Sequence, residues 1–257
     1  MRMNSYDFGY TWTWTHGHLI PLAVFVTIAG VAAWRRWPRW ITVAGAVLSL
    51  WALCGFLIVQ IVMRANAPAL LPTEAFLPTG TGSVIDLGAG SGRSSLMVLL
   101  ARPDARVTAF DLYSGYFGIH DNTPDRIRAN ARIAGVEDRL DVQAGDMRQL
   151  PFADDSFDAA VSVAAIDHLD EDGVKQALAE AARVVRSGGQ FLLVVINIDG
   201  WVRFAYPPLP HVHGGYFRRE QFADRWRSAL EQAGFTIEEQ GTRPAGMYFL
   251  GRKESVR

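Results

Sequence analysis

The chain has 257 residues, of which 49% are hydrophobic and 20% are charged. This length allows one α/β domain with an additional segment, and this composition excludes a chain that is disordered throughout. Residues 1–66 contain five arginines and one acidic residue, which leaves 20 basic and 25 acidic residues in the rest of the chain. A region with this acidic balance gives no electrostatic reason to expect nucleic-acid binding.

Two apolar stretches lie near the N-terminus. Residues 41–63 carry no charge, and they are long enough to cross a hydrocarbon core of ~30 Å at ~1.5 Å per residue. Residues 19–34 reach only ~24 Å. The connector between the two stretches, RRWPRW, is cationic and rich in tryptophan, as is typical of a membrane interface. We therefore predict two hydrophobic helices of transmembrane type, and burial in the core of a homo-oligomer is the alternative.

An alternation of strands and helices follows a proline-containing linker at 67–82. Strand-like runs lie at 83–87, 106–112, 139–145, 157–165 and 190–197, and helix-like runs lie at about 92–102, 124–134 and 171–186. This order predicts a parallel sheet with helices on both faces. A helix at about 218–233 then precedes two strands, 235–243 and 247–253, whose short separation predicts an antiparallel hairpin at one edge. We therefore predict an N-terminal segment at 1–66 and a domain at 83–257.

The motif that carries chemistry is Asp86-Leu87-Gly88-Ala89-Gly90-Ser91-Gly92, between the first strand and a helix. Glycines allow a sharp turn and the close approach of a ligand, and the helix N-terminus offers unpaired N–H groups. In an open α/β sheet this loop lies at the carboxyl edge, where ligands bind. The dinucleotide fingerprint requires glycine at position 93, where Arg93 stands, so the motif argues against an NAD-type oxidoreductase. A P-loop is excluded because no Gly-Lys-Ser/Thr follows.

Several motifs in order resemble the class I S-adenosylmethionine (SAM)-dependent methyltransferases, in particular their small-molecule and quinone-type group, over about residues 83–252. Val84 to Gly92 is similar to the first motif of this family, and Asp111 follows the second strand as its ribose-binding acid does. Gly145-Asp146-Met147 is similar to the segment whose acid accepts the adenine amino group. Residues 150–169 and 183–194 look like the fourth-strand signature and the turn into the fifth strand. The resemblance implies a seven-stranded, mostly parallel Rossmann-like sheet and SAM as the methyl donor.

The residue types agree with the cofactor site that this resemblance implies. A carboxylate at Asp111 can accept from both ribose hydroxyls, and one at Asp146 can accept from the adenine N6 amine. The structural alternatives are a strand-end cap at Asp111 and a turn residue at Asp146. Leu112 and Met147 can sandwich the adenine ring, and Asp86 can orient the methionine end or the loop backbone. The predicted cofactor-binding set is Asp86, Gly88, Ala89, Gly90, Gly92, Asp111, Leu112, Asp146, Met147 and Val163.

The acceptor side of the site is less well defined. His168, preceded by Asp167, is the candidate general base, which is needed only if the nucleophile arrives protonated. Histidine titrates near neutral pH, and Asp167 can orient or charge it. The alternative is that both residues cap a helix that begins near residue 170. Further candidates for the acceptor pocket are Tyr113, Tyr116, Phe117, His120, Asn197 and residues 201–216.

The N-terminal stretch alternates ring side chains with smaller residues. In an extended chain, its rings would share one face, as an interfacial aromatic belt or as a lid over the site; they are Tyr10, Trp12, Trp14, His16 and His18. The pairs His16/His18 and His211/His213 have a spacing that can chelate a metal, but no carboxylate or cysteine partner can be placed, so we predict no metal site. The single cysteine, Cys54, excludes an intramolecular disulfide and is expected to be a packing residue.

These observations predict an enzyme that transfers a methyl group by in-line displacement from SAM to a small apolar or membrane-dissolved acceptor. A quinone- or isoprenoid-like ring is the first acceptor class, and a hydrophobic thiol is the second. A non-catalytic SAM-binding membrane scaffold or sensor is the alternative.

Localisation is predicted from two conflicting signals. The arginines of residues 35–39 favour a cytoplasmic connector, which would place the domain outside, where SAM is not supplied. We give the cofactor more weight and predict a membrane-anchored protein with a cytoplasmic catalytic domain. Either the charge bias is overridden or the helices lie within one leaflet.

Overall fold

The computed structural model describes residues 5–114, 119–206 and 222–254. The strands of this described part are β1 Thr81–Leu87, β2 Asp104–Asp111, β3 Leu140–Ala144, β4 Phe157–Val163, β5 Val185–Ile196, β6 Phe235–Arg243 and β7 Gly246–Lys253. Its α-helices are α1 Trp12–His16, α2 Leu19–Trp34, α3 Arg39–Leu57, α4 Arg93–Ala101, α5 Pro124–Ala134, α6 Glu171–Val184, α7 Gly200–Ala205 and α8 Phe222–Gln232.

The seven strands form one sheet in the order β3-β2-β1-β4-β5-β7-β6. The pairs among β1 to β5 are parallel, and β7 pairs antiparallel with both β5 and β6. Successive side chains of β1 point to opposite faces of the sheet. Ile85 belongs to the core cluster that contains Trp226 of α8, and Val84 belongs to the cluster that contains Leu96 of α4. The predicted seven-stranded, mostly parallel α/β sheet with an antiparallel edge is confirmed.

Some predicted boundaries are wrong for local reasons. The fourth strand does not reach residue 165, because Ala164 has a left-handed φ of 51° and turns the chain out of the sheet after Val163. The fifth strand begins at Val185 instead of residue 190, since Val185 pairs with Phe157 before a register shift. Residues 218–221 of the last predicted helix lie outside the described residues.

The expected extended conformation of the N-terminal rings is wrong. Residues Trp12–His16 form α1, in which the side chain of Thr11 accepts the Trp14 N–H as an N-cap. The rings of Trp12 and His16 stack one turn apart with centroids separated by 5.9 Å. A period-two pattern therefore folds as a helical turn here, and the five rings do not share one strand face.

The helices α2 and α3 form an apolar hairpin. Its close packing places a Cβ built on Gly45 only 3.0 Å from the Cβ of Ala29. A π-helical turn extends α3, so that a continuous helix of 24 residues runs over Arg39–Val62. Within the described residues this is the one helix long and apolar enough to cross a membrane, whereas α2 has 16 residues. The prediction of two transmembrane-type helices is therefore reduced to one such helix and a shorter apolar one.

The outer surface of this apolar hairpin carries exposed hydrophobic side chains. They include Ile20, Val24, Val26 and Ile28 on α2, and Val43, Val47, Leu50 and Leu53 on α3. Only 22% of the most apolar 18-residue stretch of the helix Arg39–Val62 is buried, so this helix is not the core helix of the α/β domain. A helix that is apolar on all sides requires a larger apolar environment.

The chain on both sides of the apolar hairpin packs against the sheet. Phe8 and Phe76 are buried in the same core cluster. Arg102 donates to the carbonyl oxygens of Phe76 and Glu74, which fixes the segment that precedes β1. The stretch predicted as a linker is therefore held along the domain over residues 74–77.

Candidate cofactor site

The loop between β1 and α4 contains three glycines in the left-handed region, with φ of 79° at Gly88, 53° at Gly90 and 89° at Gly92. A Cβ on Gly88 would lie 2.3 Å from the Cβ of Ala165, and one on Gly92 would lie 2.5 Å from Cγ1 of Ile127. The loop is thus pressed between the end of β4 and α5. Both the backbone conformation and the lack of space require glycine here.

Asp111, the last residue of β2, contacts this glycine loop directly. Its Oδ2 accepts the Gly90 N–H at 2.9 Å, and its Oδ1 accepts the Tyr113 N–H at 2.7 Å and the Asn122 amide at 3.0 Å. The residue is only partly buried, and a carboxylate has about four acceptor directions. An acceptor therefore remains available at the rim of the loop.

Asn122 belongs to the same cluster, although no sequence motif points to it. Its Oδ1 is buried and has no hydrogen-bond partner among the described residues, and it lies 4.0 Å from the Cβ position of Gly90. A buried acceptor without a donor is costly, and a ligand hydroxyl beside Asp111 would satisfy it. The only local signal was that Thr123-Pro124 predicts a helix start.

Asp146 and Met147 follow β3 beside this cluster. The carbonyl oxygen of Asp111 accepts the Gly145 N–H at 2.9 Å, which joins the ends of β2 and β3. Cε of Met147 lies 3.0 Å from the Cβ position of Gly88, so this side chain lies over the glycine loop. Asp146 pairs with Arg148, whose hydrogen bonds hold the pKa of Asp146 below its usual value. The carboxylate is therefore ionised.

The remaining predicted cofactor residues surround the same loop. Leu112 is exposed next to Asp111, and Val163 ends β4, where it pairs with Val194 of β5. Ala89 is buried in a small core cluster against which the ring of Tyr113 packs. Tyr113, expected in the acceptor pocket, therefore packs against the cluster that contains Ala89, and burial raises the pKa of its hydroxyl.

Asp86 is fully buried at the end of β1. Its Oδ2 accepts the hydroxyls of Ser94 and Ser95 at 2.7 and 2.5 Å, which holds the first turn of α4 against the strand. Burial raises the pKa of Asp86 to about 6, although the two serine hydrogen bonds oppose the shift. Asp86 was expected to orient either the methionine end of SAM or the loop backbone, and these contacts favour orientation of the loop and helix backbone.

We expect Asp86→Asn to flatten the pH dependence of stability. The folded-state pKa of about 6 lies above the ordinary aspartate value of 3.8, so the folded state binds this proton more tightly. The resulting stabilisation is complete below pH 3.8 and is lost as the pH rises through 6. A shift of this size corresponds to about 3 kcal/mol in the free energy of unfolding. Urea unfolding at pH 4 and pH 7 measures the difference, and parallel pH profiles for the two proteins would contradict the assignment.

Asp167 and His168 lie on a 3₁₀ turn, Ile166–His168, that follows β4. The alternative that they cap the next helix is wrong, because Asp170 accepts the Gly173 N–H as the N-cap of α6. Asp167 is buried, and its Oδ2 accepts the Ile196 N–H at 2.9 Å, which ties the end of β4 to the end of β5. His168 is partly exposed at this carboxyl edge.

Residues 5–18, here called the N-terminal strap, run along the same edge. The carbonyl oxygen of Phe8 accepts the Ser91 hydroxyl at 2.9 Å, next to the glycine loop. At the other end, the Tyr206 hydroxyl donates to the carbonyl oxygen of Trp14 at 2.7 Å, and Nε2 of His18 lies 2.7 Å from that of Ala205. The strap therefore joins the glycine loop to the chain after β5, which supports the interpretation as a lid.

Arg93, which argued against an NAD motif, has a structural role that the sequence did not reveal. Its guanidinium donates to the carbonyl oxygens of Met63, Arg64 and Ala67, where the chain leaves the apolar hairpin. It also lies 5.9 Å from the ring of Tyr10 in the strap. The first residue of α4 thus connects the glycine loop, the strap and the hairpin.

The other candidates for the acceptor pocket are only partly described. The N–H of Asn197 donates to the carbonyl oxygen of Ala245, and the N–H of His120 donates to that of Gly9. Residues 201–206 form the end of α7 and its C-cap. Tyr116, Phe117, His211, His213 and residues 207–216 lie outside the described residues.

Comparison with known proteins relates part of this chain to methyltransferases. Residues 84–189 match the family model of a methyltransferase domain. The demethylmenaquinone methyltransferase of Clavibacter sepedonicus is 32% identical over 144 residues, or 56% of this chain and 50% of that protein. The ubiquinone/menaquinone biosynthesis C-methyltransferase UbiE of Methylobacterium nodulans is 31% identical over 157 residues, or 58% of each protein. The chain thus spans about half the length of these curated relatives.

Solved structures show the same fold. An O-methyltransferase family protein from Burkholderia thailandensis matches with a TM-score of 0.54 and 15% identity, over 82% of this chain and 61% of that chain. The O-methyltransferase family 2 protein from Planctomyces limnophilus, in complex with apigenin, matches with a TM-score of 0.52 and 20% identity, over 81% and 69%. These structures share the fold of the chain, and the family match with the curated relatives shows that residues 84–189 form a methyltransferase domain of the SAM-dependent class, in which SAM is the methyl donor.

Proposed function

We propose that the chain transfers the methyl group of SAM to a small apolar acceptor at a membrane. The observation that carries this proposal is the carboxylate of Asp111, which is held on the Gly90 N–H at the rim of the three-glycine loop. The names of the two relatives, methyltransferases of demethylmenaquinone and of ubiquinone/menaquinone biosynthesis, favour a quinone-like ring as the acceptor. A hydrophobic thiol is the second acceptor class.

The proposed nucleoside site lies at the carboxyl edge of the sheet. Asp111 and the unsatisfied Oδ1 of Asn122 would accept the ribose hydroxyls, and Asp146 would share its carboxylate between Arg148 and the adenine amine. Met147 and Leu112 would enclose the ring. The proposed set also includes Asp86, Gly88, Ala89, Gly90, Gly92 and Val163.

Bound SAM supplies an electrophilic methyl group, so the protein mainly has to hold the acceptor in line with it and exclude water. In this proposal the strap and the 3₁₀ turn at 166–168 would border the space for the acceptor. His168 would accept a proton at an imidazole nitrogen when the acceptor arrives as a hydroxyl or thiol. Asp167 acts as a positioning residue, because its bond to the Ile196 N–H fixes the turn that carries His168.

We expect His168→Ala to lower kcat by about 10²-fold to 10⁴-fold, the usual contribution of a general base. The affinity for SAM, measured by calorimetry, should not change, because His168 is proposed to act on the acceptor and not on the cofactor. The acid limb of the pH profile of kcat should disappear in the variant. An unchanged kcat, or a profile that keeps its acid limb, would exclude His168 as the base.

The membrane part of the proposal is supported by the exposed apolar surface of the hairpin and by its connector. Trp34, Trp37 and Trp40 are exposed at the connector, where Arg35 lies over the ring of Trp34 at 4.9 Å. Tryptophan and arginine together are typical of a headgroup region. We propose that the hairpin anchors the chain with its catalytic domain in the cytoplasm, and association of the hairpins of two copies is the alternative use of the same surface.

The direct test is the transfer of a radiolabelled methyl group from SAM into a native membrane extract by the full chain, followed by identification of the product. Label in a quinone or isoprenoid fraction is the expected result, and label in a thiol fraction would select the second class. SAM binding without transfer into any lipid, phenol or thiol would overturn the enzymatic proposal and identify a SAM-binding scaffold or sensor.

A further inference from the structure

A groove of about 780 Å³ lies between the C-terminal part of the apolar hairpin and α7. Cys54, Leu57 and Ile61 are on one wall, and Gly200, Trp201 and Phe204 are on the other. The volume lies in the range of ligand pockets, about 300–1,000 Å³. The site described above does not use this groove.

The lining of the groove suits hydrocarbon and offers little to a polar ligand. Among the described residues, Asp199 is the charged one in the lining. Its Oδ1 accepts the Val202 N–H and its Oδ2 accepts the Ala245 N–H, each at 3.0 Å. Because this carboxylate is engaged in capping α7 and in holding the β6–β7 turn, the surface left for a ligand is apolar. Trp201 and Phe204 are 47% and 45% exposed, which is costly in water.

The position of the groove links the candidate membrane helix to the acceptor side of the site. Its second wall, α7, begins at Gly200, four residues after β5 ends at Ile196. The N–H of Ile196 is bound by Asp167, next to His168. Its first wall belongs to the helix Arg39–Val62, whose exposed side chains continue through Leu50 and Val47 away from the domain.

We propose that this groove binds the hydrocarbon chain, isoprenyl or alkyl, of the acceptor. The chain would enter along the exposed surface of the helix Arg39–Val62, and the acceptor ring would lie beyond the start of α7, toward His168. The identity of the acceptor's head group rests on the proposed function, whereas binding of the hydrocarbon chain in the groove does not require methyl transfer. Trp201, Phe204 and Ile61 then determine whether a long chain is accepted.

The single cysteine of the chain makes the groove observable without a mutation. The probe is the rate at which N-ethylmaleimide modifies Cys54 in the full chain, reconstituted in phosphatidylcholine nanodiscs. Farnesol is expected to slow this modification several-fold, whereas the short isoprenol 3-methyl-2-butenol, at equal concentration in the membrane, should leave it unchanged. Equal rates with and without farnesol would overturn the proposal. Protection that rises with protein concentration in the absence of farnesol would also overturn it, because a second copy of the chain would then occupy the groove.

A matched pair of glycine variants separates the groove from the rest of the hairpin. A Cβ on Gly200 or on Gly30 meets no atom within 4 Å, so a side chain can begin at either position without a clash, but only Gly200 lines the groove. Gly200→Phe should abolish the effect of farnesol on Cys54, and Gly30→Phe should preserve it. If labelled methyl transfer fails while farnesol protection persists, the proposed function is wrong and the groove assignment stands. If transfer succeeds but Gly200→Phe leaves farnesol protection intact, the groove assignment is wrong.

Discussion

Replacing Asp111 with alanine is expected to weaken SAM binding by about 10-fold to 150-fold for each charge-assisted hydrogen bond lost, since such a bond contributes ~1.5–3 kcal/mol. The carboxylate has two tasks, which the variant removes together. It accepts the Gly90 N–H, which holds the glycine loop, and it is the acceptor proposed for the ribose. The SAM affinity of Asp111→Asn should lie between those of the wild type and Asp111→Ala. The amide oxygen of the asparagine can still accept the Gly90 N–H, but it lacks the charge.

The two ends of β2 provide a control of the same residue type. Asp104 begins the strand that Asp111 ends, and Asp104 is exposed at the edge opposite the glycine loop. Asp104→Ala should therefore leave the SAM affinity of the wild type unchanged. Isothermal calorimetry measures all four proteins. Near-normal SAM affinity in Asp111→Ala would contradict the assignment of this loop as the cofactor site.

Gly88→Ala is expected to destabilise the domain by about 2–5 kcal/mol, because two separate penalties act at this position. A left-handed conformation costs an L-residue ~1–2 kcal/mol. The new methyl group would also lie 2.3 Å from the Cβ of Ala165 and 3.0 Å from Cε of Met147, which costs typically ~1–3 kcal/mol as overpacking. Since Ala165 and Met147 border the site, the forced displacement should also lower the affinity for SAM.

Gly135 separates these two penalties. Its φ of 70° is close to the 79° of Gly88, but a Cβ there meets no atom within 4 Å. Gly135→Ala should therefore show only the conformational part, ~1–2 kcal/mol, with SAM affinity unchanged. In a double-mutant cycle, Ala165→Gly should restore part of the stability lost in Gly88→Ala. Equal losses of stability in Gly88→Ala and Gly135→Ala, measured by urea unfolding, would show that the contact with Ala165 has no energetic role.

The succession of strands and helices along the chain could be predicted because it depends on local patterns. Parallel strands covered on both faces are continuous apolar runs, and a glycine at a left-handed position next to a strand end marks a tight turn. Asp111 was selected because its place after the second strand resembles that of the family's ribose-binding acid, and the structure brings it to the Gly90 N–H.

The features that the sequence did not reveal depend on contacts between distant segments. The bonds of Arg93 to residues 63–67 and of Ser91 to Phe8 join parts of the chain that no periodicity relates. The helix α1 escaped prediction because its alternating residues suit a strand, whereas the cap at Thr11 and the packing of Trp14 on Tyr206 favour a helical turn. Asn122 was missed because its unsatisfied oxygen is visible only in the folded site.

The contacts of Arg93 and His18 have a consequence for how the protein would work at a bilayer. Both ends of the apolar hairpin are fastened to the domain, one through Arg93 and the other through the bond of His18 to Ala205. In the proposed arrangement, these contacts hold the domain close to the lipid, and no long flexible linker separates the domain from the hairpin in the described part of the chain. The reacting edge would then face the headgroups at a fixed height, and an acceptor could be methylated while its tail stays in the bilayer.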